Sequence, residues 1–223
     1  MFLSVIIPIF NEEKTLLEII DRVRRVDLPM EIIVVDDFST DNSRSLLQKV
    51  EDIRMICHSR NMGKGAAIRT GLQHIKGDIV IIQDGDLEYD PRDFPLLLKP
   101  IVNDEADVVY GSRFLGKMEG MRFQNYVGNK VLTRLTSLLY GARITDMETC
   151  YKMMRVSVIG GINLRANRFE FEAEITAKIL KKKIRFREVP ITYRGRTHDE
   201  GKKIGWKDGV QAIWSLVKYR FMD

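Results

Sequence analysis

The segment QDGDLEYD has an acidic side chain at every second position, directly after the apolar run Ile79–Ile82. Asp84 and Asp86 are one residue apart, and Gly85 between them allows a tight backbone, so the two carboxylates can share a hard divalent cation. Glu88 continues the same spacing and can join them. Mg²⁺ and Mn²⁺ prefer such oxygen ligands and usually also hold substrate phosphates. The alternative is an acidic turn without a metal, because Asp and Gly favour turns.

Short apolar runs rich in β-branched residues predict the strands that position this segment, at 3–9, 31–35, 54–57, 78–82 and 107–110. Helical patterns lie between them at 11–26, 41–50, 64–75 and 92–102, and Asn11 is the predicted N-cap of the first. This alternation predicts an α/β protein with a Rossmann-like, mostly parallel sheet flanked by helices. Such sheets bind ligands at the carboxyl ends of their strands, so we expect the acidic segment to line a ligand site.

The alternation of strands and helices weakens after residue 111. Residues 122–140 and 170–183 have helical patterns, FREVPITY predicts one more strand, and 206–223 predicts a terminal amphipathic helix. No repeat, low-complexity tract or linker is present. We therefore predict a single domain over residues 1–223, in which residues 112–205 form the second wall of the site opened by residues 1–111.

The segment VVDDFSTDNS places Asp36 and Asp37 at the end of the second predicted strand. A carboxylate there can accept hydrogen bonds from ribose hydroxyls or from a base N–H group. The same residues also suit an Asx turn in which Ser39, Thr40 or Asp41 caps the next helix. Both interpretations can hold at once.

The segment NMGKGAAIRTG offers Gly63, Lys64 and Gly65 at a predicted helix start, which suits an anion. The chain contains no G-x-x-x-x-G-K-[ST] loop and no G-x-G-x-x-G after the first strand, which disfavours P-loop and dinucleotide-binding folds. The histidines (His58, His74 and His198) are far apart in the sequence. Neither H-E-x-x-H nor G-x-S-x-G occurs, which disfavours zinc peptidases and serine hydrolases.

The formal charge of +5 is unevenly distributed, since residues 178–207 contain eleven Lys or Arg against three Asp or Glu. This basic stretch suits an anionic ligand, an anionic membrane surface or a plain solvated face. Few aromatic residues accompany it, and the acidic segment would repel a phosphate backbone, so we predict no binding to nucleic acid.

The two cysteines, Cys57 and Cys150, fit neither a disulfide framework nor a metal-site spacing, which favours a reducing, cytoplasmic location. The first residues lack the basic region of a signal peptide. No apolar run reaches the ~18 to 20 residues of a membrane helix. We therefore predict a protein that is soluble or that at most rests on a membrane.

Six segments, in order, resemble family 2 glycosyltransferases, close to the dolichyl- or polyprenyl-phosphate mannosyl and glucosyl synthases: VIIPIFNEE, VVDDFSTDNS, NMGKGAAIRTG, QDGDLEYDP, GSRF and DMETCYKMM. The resemblance covers nearly the whole chain. It implies a GT-A fold, a GDP- or UDP-linked sugar donor, Mg²⁺ or Mn²⁺, and inversion at the anomeric carbon. It also implies that residues 1–111 form the nucleotide-sugar half and residues 112–205 the acceptor-side half.

The resemblance further implies roles for individual residues. Asp86 and Glu88 would bind the metal, although the synthases often have Gln where this chain has Glu88, and Asp84 would lie near the donor sugar and ribose. Arg113 would face the acceptor phosphate, with Arg122 as a weaker candidate. The remaining donor-binding candidates are Pro8, Phe10, Glu12, Asp37, Gly63, Lys64, Arg194, Arg196, Lys202 and Lys203.

The acceptor remains open at this point. A lipid phosphate is ionised near neutral pH and needs no general base, whereas a sugar hydroxyl requires a carboxylate, for which Asp146 and Glu148 are the candidates. The apolar positions of the terminal helix favour attachment to the cytoplasmic face of a membrane, and docking on the protein core is the alternative. Two other classes remain: a nucleotidyltransferase, disfavoured because PIFNEE replaces its Gly-rich loop, and a non-catalytic nucleotide-sugar binding module.

Overall fold

The computed structural model describes residues 1–195 and 206–222, with side chains omitted at 206–208. The strands are β1 (Leu3–Ile9), β2 (Met30–Asp36), β3 (Arg54–Cys57), β4 (Ile79–Ile82), β5 (Val108–Ser112), β6 (Met118–Glu119), β7 (Lys152–Arg155), β8 (Phe186–Pro190) and β9 (Tyr193–Arg194). The helices are α1 (Leu16–Arg24), α2 (Ser43–Leu47), α3 (Lys64–Leu72), α4 (Phe94–Val102), α5 (Phe123–Tyr140), α6 (Val156–Ile159), α7 (Phe171–Lys181) and α8 (Trp206–Phe221), with a 3₁₀ turn at Pro91–Asp93 before α4.

Seven strands form the main sheet in the order β3-β2-β1-β4-β7-β5-β8, and β6 pairs with β9 in a small second sheet. The pairs β1–β2, β1–β4, β2–β3 and β5–β8 are parallel, whereas β7 runs antiparallel to both β4 and β5. The predicted mostly parallel sheet flanked by helices is confirmed. Because β7 and β8 come from residues after 111, both parts of the sequence contribute to one sheet.

Burial explains why these segments are strands. Every residue of β1, β4 and β5 is buried, as expected of strands covered on both faces. The helices cover the sheet with narrow apolar faces, and α1 buries Leu16, Ile19, Ile20 and Val23. Each predicted strand and helix has a counterpart, but the predicted helix 11–26 spans only Leu16–Arg24 and the single predicted strand FREVPITY divides into β8 of the main sheet and β9 of the second sheet.

Two details differ from the sequence prediction. Helix α1 begins at Leu16 after Thr15, so the prediction of Asn11 as its N-cap is wrong. Asn11 instead has a positive φ of 55°, and its Oδ1 accepts a hydrogen bond from the Thr40 N–H at 2.8 Å. Strand β7 was not predicted, because its sequence KMMR has no β-branched residue and begins with a lysine.

Helix α8 packs against α5 and α7 through a face of small and aromatic side chains. Ala212, Ser215, Leu216 and Tyr219 are buried, and the Tyr140 hydroxyl of α5 donates to the Leu216 carbonyl at 2.7 Å. Other large apolar residues of α8, namely Val210, Ile213, Trp214 and Phe221, are exposed. Among the described residues, no helix has both the length and the apolar composition needed to cross a membrane.

Candidate active site

The acidic loop after β4 lies beside the loop after β1, because these two strands are parallel neighbours in the sheet. The Thr15 hydroxyl donates to the Gly85 carbonyl at 2.7 Å and to Glu12 Oε2 at 3.2 Å. A Cβ atom at Gly85 would lie 3.2 Å from the Ile9 side chain and 3.5 Å from that of Glu12, so the loop backbone lies close to the residues that follow β1. The loop after β1 and the acidic loop therefore pack together at the carboxyl edge of the sheet.

Lys64 connects the acidic loop to the protein interior. Its ammonium lies 2.7 Å from Asp84 Oδ1 and 3.3 Å from Glu172 Oε1, and only 15% of its side chain is exposed. The other oxygen of Glu172 lies 2.5 Å from the ammonium of Lys152, whose side chain is fully buried. Burial disfavours the Lys64 ammonium, but the charge of Asp84 and further anionic neighbours outweigh it and hold the Lys64 pKa well above its usual value.

The glycines beside Lys64 are required by close backbone contact. A Cβ atom at Gly63 would lie 2.4 Å from the Asn167 carbonyl oxygen, and one at Gly65 would lie 2.5 Å from that of Ala166. The Ala66 N–H also donates to Asn167 O at 3.0 Å. The first turn of α3 therefore packs on the 166–167 loop, which was not part of the anion-binding interpretation of these glycines.

Asp37 organises the segment before α3. Its Oδ1 accepts from the Met62 N–H at 2.8 Å and lies 2.7 Å from His58 Nδ1, and its Oδ2 accepts from the Gly63 N–H at 2.6 Å. The second ring nitrogen of His58 lies 2.9 Å from the Thr70 hydroxyl. Asp37 and His58 are both buried, and their contact helps to hold the Asp37 carboxylate in place.

Asp36 and Asp41 shape the turn that follows β2. Asp36 is buried, pairs with Arg44 at 3.1 Å and accepts from the Ser39 N–H at 3.0 Å. Asp41 accepts from the Ser43 N–H at 2.9 Å, at the first residue of α2. The Asx turn is confirmed at Asp41, but the N-cap of α2 is Asn42, so the prediction that Ser39, Thr40 or Asp41 caps this helix is wrong.

Asp86 and Glu88 lie half-buried on the acidic loop. Asp86 Oδ1 accepts from the Glu88 N–H at 3.1 Å, and Glu88 Oε2 accepts from the Tyr193 hydroxyl at 2.8 Å. Carboxylate oxygens are the ligand type that Mg²⁺ and Mn²⁺ prefer. Within residues 1–195 and 206–222, no three acidic, His or Cys side chains converge as a ready-made metal centre. The loop therefore fits a hard cation that takes its other ligands from phosphates and water, as Mg²⁺ commonly does.

Arg113, which directly follows β5, is fixed by Asp146. The guanidinium donates from Nε to Asp146 Oδ2 and from Nη2 to Oδ1, both at 2.7 Å, and the Arg113 N–H adds a bond of 3.0 Å to Oδ2. The Glu188 carboxylate accepts from the backbone N–H groups of Thr145 and Asp146 at 2.8 and 3.0 Å. The Arg113 guanidinium also lies over the Tyr193 ring, 5.3 Å from its centroid. Asp146 therefore anchors Arg113, a role that differs from its prediction as a general base.

Glu148 carries a carboxyl group with a raised pKa. Burial, followed by the negative charge of Glu172, raises its pKa from 4.5 to about 7, although Lys152 and Arg113 oppose the shift. Among the described residues, its buried Oε1 has no hydrogen-bond partner. A carboxyl group with these properties can exchange a proton near neutral pH.

The other predicted site residues lie as follows. Pro8 is buried within β1, whereas Phe10 and Glu12 are half-buried in the loop that follows. Arg122 directly precedes α5, and Arg194 ends β9, where its N–H donates to the Glu88 carbonyl at 2.9 Å. The predicted donor-binding residues Arg196, Lys202 and Lys203 lie outside the described residues.

A comparison with protein-family models matches residues 4–162 to the model described as glycosyl transferase family 2. The chain belongs to this family. It is 31% identical over 209 residues to the UDP-N-acetylglucosamine–dolichyl-phosphate N-acetylglucosaminyltransferase of Methanococcus voltae, covering 83% of each chain. It is 29% identical to the dodecaprenyl-phosphate galacturonate synthase of Rhizobium johnstonii and 30% identical to the dolichol-phosphate mannosyltransferase of Pyrococcus furiosus. Each of these two alignments covers 98% of this chain, but only 66% of the Rhizobium relative and 64% of the Pyrococcus relative.

Solved structures of related glycosyltransferases have the same fold. The glucosyl-3-phosphoglycerate synthase of Mycobacterium tuberculosis, in complex with Mn²⁺, UDP and phosphoglyceric acid, aligns with a TM-score of 0.76 at 22% identity. This alignment covers all of our chain and 79% of the synthase. This family 2 glycosyltransferase therefore has the GT-A fold, and it is an enzyme of the glycosyltransferase class.

Sequence reasoning missed the buried charges behind the acidic loop of this family 2 glycosyltransferase. Lys152 and Glu172 are both buried. Lys152 lies in the segment DMETCYKMM but was given no role there, and Glu172 lies in none of the six segments. The sequence contains a weak indication of both residues. Lys152 directly follows the apolar pair Cys150 and Tyr151, and Glu172 lies between the apolar residues of the segment FEFEAEI. Charged residues within apolar runs are almost never fully buried unless they are paired.

Proposed function

We propose that this enzyme transfers a hexose, with inversion, from a nucleotide-sugar of the GDP-mannose or UDP-glucose type to a polyprenyl phosphate. The single observation that supports this most is the acidic loop at the carboxyl edge of β4, where Asp84 is held by Lys64 at 2.7 Å and Asp86 is half-buried beside it. Relatives that act on dolichyl or dodecaprenyl phosphates, according to their names, support the lipid-phosphate acceptor.

Asp86 and Glu88 would hold Mg²⁺ or Mn²⁺. When bound, such an ion supplies positive charge where negative charge develops on the departing diphosphate. Asp84 would accept hydrogen bonds from the donor sugar and ribose, with Lys64 holding its carboxylate in place. The donor nucleotide would pack on Pro8, Phe10 and Glu12, with Asp37, Gly63, Arg194, Arg196 and Lys202 as its further contacts.

The acceptor phosphate would meet Arg113, with Arg122 as a second cation. Asp146 fixes both edges of the Arg113 guanidinium, so its orientation is set before the acceptor arrives. A preorganised cation costs no reorganisation during the reaction. A phosphate acceptor is already ionised near neutral pH, so this route needs no general base.

Product formation from a panel of donors tests this proposal. The protein is incubated with Mn²⁺, polyprenyl phosphate and each of GDP-mannose, UDP-glucose and UDP-N-acetylglucosamine, and the lipid product is separated and quantified. We expect one donor to give a polyprenyl-phosphate sugar. We also expect this product to be lost when the metal is chelated. Donor binding with Mn²⁺ but no transfer of any donor sugar to polyprenyl phosphate would contradict the proposed acceptor.

A sugar hydroxyl is the second candidate acceptor, and the pKa of Glu148 near 7 is the observation that favours it. A hydroxyl acceptor must lose a proton, and Glu148 could accept it only in its ionised form. The rate of transfer to a glycan should then rise as pH increases through about 7, because the raised pKa keeps the carboxyl protonated below that value. Glu148→Gln should abolish this transfer, whereas transfer to a lipid phosphate should keep its rate and show no such dependence.

We propose that the enzyme attaches peripherally to the cytoplasmic face of a membrane through the apolar residues that α5 and α8 expose. On α8, Val210 is 56% exposed, Trp214 65% and Phe221 77%. On α5, Phe123 is 79% exposed and Leu138 78%. Exposed apolar patches of this kind mark contact with a membrane or a partner. Lys218 and Arg220 in the last turn of α8 provide charge for an anionic lipid surface.

Trp214→Ala should weaken binding to vesicles of mixed neutral and anionic lipid by about tenfold, because a buried aromatic side chain contributes ~1.5–3 kcal/mol. Co-sedimentation with the vesicles measures this. Gln211→Ala is the matched control, since Gln211 is an exposed polar residue of the same helix. Equal vesicle binding by wild type and Trp214→Ala would show that α8 does not enter the lipid surface.

A further inference from the structure

Four buried or nearly buried charges connect the acidic loop to the core in a continuous chain of ion pairs. Asp84 contacts Lys64, Lys64 contacts Glu172, and Glu172 contacts Lys152. The exposed fractions of these side chains fall from 20% for Asp84 to 15%, 5% and 0% along that order. The chain therefore runs from the edge of the site into the interior, and its two cations and two anions balance.

The inner end of this chain is fixed in place. The Lys152 ammonium donates to the carbonyl oxygens of Met147 and Thr149 and lies 4.7 Å from the centroid of the Tyr110 ring. Lys152 belongs to β7, in the middle of the sheet, and Glu172 belongs to the buried helix α7. Residues 171–179 of α7 are all buried, so the Glu172 carboxylate meets Lys64 from the interior of the protein rather than from solvent.

Lys64 is a long, flexible side chain, and a single partner would leave its ammonium with several accessible positions. Contact with both Asp84 and Glu172 removes that freedom. The glycines on either side of Lys64 restrict the backbone as well, since they pack on the 166–167 loop. The position of the Asp84 carboxylate is therefore set from the interior.

We propose that Glu172 is a positioning residue of the donor site, which acts through Lys64 to fix the orientation of Asp84. This inference rests on the proposed function, in which Asp84 binds the donor. Glu172 also separates the charges of Lys64 and Lys152. Without it, the uncompensated Lys152 charge would repel the Lys64 ammonium toward the acidic loop, where it would displace Asp84 and compete with the divalent cation.

The test is a double-mutant cycle on the affinity for GDP and UDP with Mn²⁺, measured by calorimetry on the full chain. Glu172→Gln and Lys64→Met should each weaken binding of the preferred nucleotide by about tenfold, within the range of couplings between contacting charges. The double variant should bind no more weakly than the weaker single variant, because both changes act on the same carboxylate. Glu172→Asp, which keeps the charge, should retain more affinity than Glu172→Gln.

A second variant distinguishes a loss of nucleotide affinity from a failure of Glu172→Gln to fold. Glu172→Gln leaves Lys152 as an unpaired buried cation, which is strongly destabilising, whereas replacing both partners of a buried pair is often neutral. Glu172→Gln combined with Lys152→Met should therefore fold and still show the loss of nucleotide affinity. Glu31→Gln is the control, since this carboxylate accepts from Ser4 and the Lys76 N–H at the opposite edge of the sheet.

Three outcomes overturn the inference. One is wild-type affinity in Glu172→Gln, and another is wild-type affinity in its combination with Lys152→Met. The third is a fold-loss of nucleotide affinity in the Lys64 and Glu172 double variant that equals the product of the two single fold-losses. That result would mean that Lys64 contacts the diphosphate without help from Glu172. Failure of the wild-type protein to bind either nucleotide with Mn²⁺ would instead contradict the proposed function, and the inference with it.

Discussion

Replacing Asp86 with alanine is expected to lower kcat/KM for sugar transfer by about 10³-fold, the scale on which loss of one preorganised electrostatic contact acts. Asp86 lies half-buried on the loop after β4, beside Glu88. Under the proposed function it is the main protein ligand of the divalent cation. Its loss should weaken the stabilisation of the departing diphosphate more than the binding of the nucleotide base, so kcat should fall more than KM rises.

The measurement is initial-rate kinetics with the preferred donor over a range of Mn²⁺ concentrations. Asp86→Ala should require much more Mn²⁺ for half-maximal rate, since Glu88 alone would remain as a carboxylate ligand. Asp78→Asn is the matched control, because Asp78 precedes β4 at its amino end and accepts from the Phe2 N–H at 2.9 Å. A rate for Asp86→Ala within a few-fold of wild type, at low Mn²⁺, would place the cation elsewhere.

The sheet and the acidic edge of the site could be predicted from the sequence because both depend on local patterns. Apolar runs such as Leu3–Ile9 and Ile79–Ile82 are buried on both faces, and helices lie between them. The rule that ligands bind at the carboxyl ends of parallel strands then located Asp84 and Asp86. Neither step needs information about which distant residues meet.

The ion pairs behind the acidic loop could not be predicted, because each joins segments that are far apart in the sequence. Lys64 meets Glu172, and Glu172 meets Lys152 within the interior. The sequence of helix α7 is also misleading, because polar residues normally indicate the solvent-exposed face of a helix. Here residues 171–179 are all buried, polar side chains included. Strand β7 was missed for a related reason, as Lys152 is an unusual residue for a central strand.

The apolar positions of α8 were visible in the sequence, but their direction was not. A terminal helix normally turns its large apolar residues toward the core. Here Ala212, Ser215 and Leu216 pack inward, whereas Trp214 and Phe221 remain exposed. The periodicity alone is equally compatible with both orientations, and only packing against α5 and α7 distinguishes them.

Replacing Arg113 with methionine is expected to lower the free energy of unfolding by ~3–5 kcal/mol, because it leaves the buried Asp146 carboxylate without its cation. Asp146 is fully buried, and Arg113 supplies two hydrogen bonds of 2.7 Å from its side chain. Only the backbone N–H of residue 113 would remain as a donor from that position. Urea unfolding at neutral pH measures the loss.

The exposed ion pair of Arg185 provides the matched control, since its guanidinium also binds carboxylates bidentately, at 2.7 and 2.8 Å to Asp107. Arg185→Met should change stability far less, because water replaces the lost contacts at an exposed site. Combining Arg113→Met with Asp146→Asn should recover part of the stability by removing the unpaired charge. It should not recover transfer to a polyprenyl phosphate, because the acceptor would still lack its cation. Full recovery of transfer would show that Arg113 serves only the fold.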